Sequence, residues 1–223
     1  MNFEPAEIRN LYDLSHTLAA PLLEKLVYPW EALPKIGTFI LTLGASLPAE
    51  EYERRGEDIW VAKSARIFES AYLHGPCIIG PDTEIRQCAF LRGNALVGAG
   101  CVVGNSTELK NSILFDCVQV PHFNYVGDSI LGYHAHMGAG SITSNVKSDK
   151  TLVTVGTPEG RIETGLKKMG AMLGDHVEVG CNTVLNPGTV IGRETTVYPL
   201  SMVRGFLAGK SIFKRAGEVV KKR

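Results

Sequence analysis

The sequence predicts an all-β chain wound as a three-sided parallel β-helix, and a six-residue repeat is the main reason. Stepping by six from Val61 meets Ile67, Leu73, Ile79, Ile85, Leu91, Val97, Val103 and Leu109, each an Ile, Leu or Val. The series shortens by one residue to Leu114, resumes at Val120 and Val126, shortens again to Leu131 and continues to Met137. After an interruption it returns as Leu173, Val179, Leu185, Ile191, Val197 and Val203. Such a period suits neither an amphipathic helix, at about 3.6 residues, nor a strand, at about 2. A second observation is that glycine often follows the apolar residue, as at Gly80, Gly98, Gly104, Gly127, Gly138, Gly174, Gly180 and Gly192. A short strand and a turn then make one side, and three sides make a coil of 18 residues. Each inward residue stacks on its equivalent one coil later, so a coil needs neighbours before it is stable.

Taken in order, residues 1–58 lack the repeat and predict a helical arm or cap. Leu11, Leu14, Leu18, Leu22 and Leu26 stand at helical spacings, broken near Pro21 and Pro29, and a second apolar stretch runs from Trp30 to Leu47. The arm is expected to pack on the first coil or on a neighbouring chain. Residues 59–207 form the β-helix, interrupted at 144–171 by a polar loop carrying Lys147, Lys150, Lys167 and Lys168. A long insertion at a corner of a rigid prism is commonly functional. The tail, 208–223, is basic through Lys210, Lys214, Arg215, Lys221, Lys222 and Arg223, and is read as helical.

Composition removes several function classes. Apolar residues make up 44% of the chain, too many for wholesale disorder. The formal net charge is zero, which disfavours a general nucleic-acid or anionic-membrane binder. No apolar run is long enough to span a bilayer, and Met1–Glu7 has no basic secretory n-region. The five cysteines include no CxxC pair and read as reduced thiols of a cytoplasmic protein, used as small apolar side chains.

The repeat converts spacing into proximity. Arg92 and Lys110 each follow a column residue by one, so they stack on adjacent coils about 4.8 Å apart. Two like charges that close repel, and a phosphate would relieve the repulsion, since an arginine fork and a lysine point charge both suit it. The same count sets Glu108 under Tyr125 and His122 under Ala139, beside the turn Gly138-Ala139-Gly140. Histidine next to backbone N–H donors is a layout suited to acyl transfer, with a base for the attacking amine and donors for the oxyanion. Isolated histidines such as His16, His74, His134, His136 and His176 are more often structural.

Three stretches carry a family resemblance: Glu108-Leu109-Lys110-Asn111-Ser112, His122-Phe123-Asn124-Tyr125-Val126-Gly127-Asp128 and Gly138-Ala139-Gly140-Ser141-Ile142-Thr143-Ser144-Asn145. Together with the repeat over about Val61 to Val203, they resemble the hexapeptide-repeat transferases. The likeness is to the acetyltransferase half of bifunctional N-acetylglucosamine-1-phosphate uridyltransferases and to archaeal sugar-1-phosphate nucleotidylyltransferases. The resemblance implies a left-handed β-helix, transfer of acetyl from acetyl-CoA to an amino-sugar 1-phosphate (glucosamine or galactosamine), and a homotrimer with no metal. It makes His122 the general base, Glu108 its orienter and the Ala139 N–H the holder of the acetyl oxygen. Arg92, Lys110 and Tyr125 would bind the sugar phosphate, with Asn145 on the sugar. Cys181 stands where the family has a small hydroxyl residue near the thioester, Pro199 on the coenzyme wall, and Lys214 or Arg215 by the coenzyme phosphates. Two positions depart from the family: Val146 replaces an aromatic residue, and His136 replaces an asparagine on the phosphate or sugar side. Tyr28–Leu33 looks like the linker that follows the nucleotidyltransferase domain, but that domain is not in these residues, so uridylyl transfer is not expected. Two other readings stay open: a trimeric scaffold or regulatory partner of a pyrophosphorylase, and a metal-dependent hydratase using His122, His134 and His136.

Overall fold

The structure, a computed structural model, describes residues 3–222; Met1, Asn2 and Arg223 lie outside the described residues. From Ile59 the chain winds as a left-handed parallel β-helix of about nine turns. Strand pairing reproduces the three inward columns expected from the repeat. The first runs Val61, Ile79, Val97, Leu114, Leu131, Leu173, Ile191, Leu207. The second runs Ile67, Ile85, Val103, Val120, Met137, Val179, Val197, Phe213. The third runs Leu73, Leu91, Leu109, Val126, Thr143, Leu185, Val203. Apart from Ile67 and Leu73 near the first coil, all these side chains are buried.

Thr143 is the one polar member of the columns, and its hydroxyl is satisfied there: it accepts from Gly127 N at 2.8 Å. Other buried hydroxyls pin one coil to the next. Thr83 donates to Gly98 O at 2.7 Å, Thr107 to Val120 O at 3.0 Å and Ser112 to Val126 O at 2.9 Å. Such groups must be paired when buried, and here the pairing runs along the axis of the prism.

Residues 4–46 contain short helices, the longest being Ile36–Ser46. They do not gather at the first coil. The segment runs down the outside of its own solenoid, against the direction of winding. Phe3 meets the Phe206 ring edge-on at 4.8 Å. Leu11 O then accepts from Asp175 N, and His16 O from Asp116 N, each at 3.0 Å. Farther along, Gly44 lies so close to Trp60 that a Cβ there would stand 2.4 Å from the indole. Leu11, Leu23, Trp30, Ile36 and Ile40 are buried by this strap.

The tail corrects the expectation of a helix. Ser211–Arg215 adds in parallel to Thr196–Val197, and Glu218–Lys221 folds back on it antiparallel through a turn at Gly217, φ +80°. Phe213 closes the second column, and β-branched Val219 and Val220 suit the return strand. The interruption holds a two-stranded hairpin, Thr154–Thr157 with Gly160–Glu163, and the coil resumes at Ala171.

Candidate active site

Two groups of residues flank the corner at 122–125. The first is a vertical column. Pairing of Gln119 with His136 and of Met137 with Val179 carries His122 onto Ala139 and Ala139 onto Cys181. Pairing of Val179 with Val197 then carries Cys181 onto Pro199. The inter-coil bonds agree: Gly140 N donates to His122 O at 3.0 Å, Asn182 N to Ala139 O at 2.9 Å and Leu200 N to Cys181 O at 2.9 Å. Gly138 N and Gly140 N are both spent on this ladder. The Ala139 N–H makes no hydrogen bond among the described residues, and neither does the His122 imidazole.

His122 is held by its neighbours rather than by its ring. Its N–H donates to Asn124 Oδ1 at 3.1 Å. The buried Asn124 amide donates in turn to Gly138 O at 2.9 Å and Ser141 O at 3.0 Å. Asn124 thus ties the histidine corner to the turn one coil above, a role that spacing alone did not reveal.

The second group lies on the next side. Glu108 pairs with Tyr125 and Lys110 with Gly127, as the count required, and Leu91 pairs with Leu109, which places Arg92 beside Lys110. The two cations are neutralised within the chain. Arg92 Nη1 reaches Glu108 Oε1 at 2.6 Å, and Lys110 Nζ reaches Asp128 Oδ2 at 3.1 Å. Glu108 therefore grips Arg92 and makes no hydrogen bond to His122. Asn145 Nδ2 bridges the group, donating to Asp128 Oδ2 at 2.5 Å and to the Tyr125 hydroxyl at 3.2 Å. Burial, reinforced by the charges of Asp128 and Glu108, pushes the Tyr125 phenol up, so it stays neutral and able to donate. Asp128 is the residue the sequence reading passed over. It lay inside a quoted stretch, but its role emerges only from the donors of Lys110, Asn111 and Asn145 that converge on it.

Other expected site residues fall elsewhere. His136 lies next to Met137 of the second column, with Nδ1 2.9 Å from Glu178 Oε2, and not with Lys110 and Asn145. Lys214 and Arg215 both pair with Glu218 of the terminal hairpin, at 3.2 and 2.8 Å. Register continued from Val197 and Phe213 sets Arg215 over Pro199, at the top of the His122 column. Of the cysteines, Cys77 and Cys101 are buried, whereas Cys88 and Cys181 are exposed. Among the described residues no group of three or more His, Cys, Asp or Glu is arranged to hold a metal ion. Nor is any helix of the described residues long and apolar enough to cross a membrane.

A parallel β-helix built on a hexapeptide repeat, with a histidine corner on its flank, defines a hexapeptide-repeat protein. Its profile is that of the GMPPB C-terminal domain, which matches residues 73–195, and the chain belongs to that family. It is 33% identical over 135 residues to a bifunctional sugar-1-phosphate nucleotidylyltransferase/acetyltransferase of Sulfurisphaera tokodaii, covering 60% of this chain and 32% of that protein. It is 36% identical over 104 residues to the bifunctional protein GlmU of Methanocaldococcus jannaschii, covering 47% and 25%. A putative uncharacterized acetyltransferase, YaiX of Escherichia coli, is 32% identical over 151 residues, covering 68% and 65%. The match thus spans about a third of the first of these relatives and a quarter of the second. Among solved structures, a mutant of AntD, an N-acyltransferase from Bacillus cereus in complex with dTDP and coenzyme A, aligns with a TM-score of 0.36 at 20% identity, covering 78% of this chain and 91% of that one.

Proposed function

We propose that the chain is an acetyl-CoA-dependent N-acetyltransferase acting on an amino-sugar 1-phosphate, in nucleotide-sugar biosynthesis of the UDP-N-acetylglucosamine type. It would work as a cytoplasmic homotrimer, with a neighbouring copy bringing groups such as His136 to the corner. The observation that carries this reading is the pairing of an unengaged His122 imidazole with an unengaged Ala139 N–H on adjacent coils. Relatives named as acetyltransferases support it.

The column Ala139, Cys181, Pro199 suits the extended arm of coenzyme A: small or flat side chains at a spacing of about 4.8 Å, with a free donor at one end. His122 accepts the proton of the sugar amine as nitrogen bonds to the thioester carbonyl carbon. The Ala139 N–H stabilises the charge that develops on the carbonyl oxygen. Collapse breaks the carbon–sulfur bond, and His122 returns the proton to the departing thiolate. Arg92 and Lys110 hold the sugar phosphate by releasing Glu108 and Asp128 in part, and Tyr125 and Asn145 orient the ring.

The test is acetyl-CoA consumption across a panel of amino-sugar phosphates, with wild type and His122→Ala. Removal of a general base lowers the rate by about 10²–10⁴-fold. A His122→Ala protein with nearly full activity would refute the assignment, and failure of acetyl-CoA to bind at all would favour a scaffold role.

A further inference from the structure

A large cavity lies beside Asn145, on coils that continue the stack of Arg92 and Lys110. It is a cleft of about 750 Å³, open to solvent, between the inserted hairpin and the corner made by Ser144, Asn186 and Arg204. Those three residues stack, because each follows by one a member of the third column. The hairpin is pressed onto this corner backbone to backbone: a Cβ on Gly205, φ +73°, would stand 2.7 Å from Gly156 O.

Its charges are unlike those elsewhere on the surface. Lys147 is balanced by Asp149 at 3.5 Å. Arg161, on the hairpin, makes no side-chain hydrogen bond or ion pair among the described residues. Arg204 has a single long contact, 3.4 Å to Asn186 Oδ1. Every other described arginine faces a carboxylate, except Arg66, which lies over the Phe68 ring. Among the described residues, the two arginines with no carboxylate and no ring are the two that line this cavity. Planar guanidinium forks left open in this way match the oxygens of a phosphoryl group. The volume falls within the usual range of about 300–1,000 Å³ for a small-molecule site and exceeds what an isolated phosphate fills. Phe206, Val146 and Pro187 add apolar wall against which a planar ring can lie.

We propose that this cavity is a binding site for a nucleoside diphosphate, free or as the head of a sugar nucleotide, with Arg161 and Arg204 on the diphosphate. It is distinct from the Ala139–Cys181–Pro199 column, whose members stand two residues past the second inward column, whereas Ser144, Asn186 and Arg204 stand one residue past the third. The proposal does not depend on acetyl transfer.

Isothermal titration of the full chain with inorganic pyrophosphate, UDP, UDP-N-acetylglucosamine and coenzyme A tests it, using wild type, Arg161→Gln, Arg204→Gln and Arg161→Lys. The expected result is that pyrophosphate and UDP bind wild type and that either glutamine variant weakens both at least tenfold. Arg161→Lys should weaken them less. A sugar nucleotide binding more tightly than UDP identifies the head-group source, and the reverse order identifies the free nucleotide. Absence of UDP and pyrophosphate binding, or affinities indifferent to both arginines, overturns the proposal. So does a loss confined to coenzyme A. Both arginines are exposed, and unchanged thermal melting separates lost binding from lost fold.

Discussion

Lys110 and Asp128 meet across adjacent coils at 3.1 Å, and the carboxylate side chain is only 5% exposed. Asn111 Nδ2 donates to the same group at 2.9 Å and Asn145 Nδ2 at 2.5 Å. One buried anion therefore sets the position of the lysine and the asparagine assigned to the acceptor. The cation that the sequence leaves seeking a phosphate is already held by its own chain. On the proposed reading, ligand binding redistributes that pairing rather than filling a bare positive patch.

Asp128→Asn removes the charge and turns half of the acceptor into a donor facing other donors. The expected outcome is a rise in KM for the amino-sugar phosphate of about tenfold or more, with a smaller change in kcat and an unaltered KM for acetyl-CoA. A hydrogen bond to a buried charge contributes about 1.5–3 kcal/mol, so the melting temperature falls as well. Steady-state kinetics in both substrates separates this positioning role from simple destabilisation, which would not move one KM alone.

Cys181 offers a chemical footprint of the proposed coenzyme column. It is exposed and stacked between Ala139 and Pro199. Burial pushes the Cys77 thiol up to about 12 and the Cys101 thiol higher still, so both stay protonated and inaccessible. Iodoacetamide is expected to label Cys181 and Cys88 in the folded protein and to leave Cys77 and Cys101 unmodified. Saturating acetyl-CoA should slow labelling of Cys181 at least fivefold and leave Cys88 unaffected, as read by peptide mass spectrometry. Equal rates with and without acetyl-CoA would place the coenzyme elsewhere.

Asp116 links the strap to the solenoid and should leave a pH signature. Burial holds its carboxyl above the ordinary range, partly offset by the Ala99 N–H, which donates to Oδ1 at 2.7 Å, and by His16. The folded chain thus binds this proton more tightly than the unfolded chain. The resulting stability is complete below the ordinary carboxylate pKa of about 4 and is lost as pH rises through the elevated folded value. Asp116→Asn keeps an acceptor for Ala99 and cannot ionise. Its melting temperature relative to wild type should therefore climb between about pH 4 and neutrality. A difference that stays flat across that range would contradict the assignment.

Residue counting alone settled the coil register. Inward columns depend on how many residues separate equivalent side chains, and that number is covalent, so Glu108 under Tyr125 and His122 under Ala139 are legible in the sequence. Counting could not say which partner a flexible side chain chooses. Arg92 turned to Glu108 and Lys110 to the buried Asp128 because a flexible cation takes the nearest opposite charge, and distance through space decides which that is. His136 precedes Met137 of the second column and faces Glu178, whereas Lys110 and Asn145 flank the third column on a different wall. The tail became a hairpin because an open last coil offers Thr196 and Val197 as a template, which a basic composition does not reveal.

The path of residues 3–46 depended likewise on the assembled fold. Leucines at helical spacing announce short helices, but only the exposed flank of the finished solenoid determines where their apolar faces are buried. The winding, its period and the vertical neighbours at the histidine corner were written in the order of residues, because all three follow from local repetition. The strap, the buried Asp128 hub and the arginine-lined cavity arose only on folding, because each joins segments whose separation along the chain carries no information about their meeting.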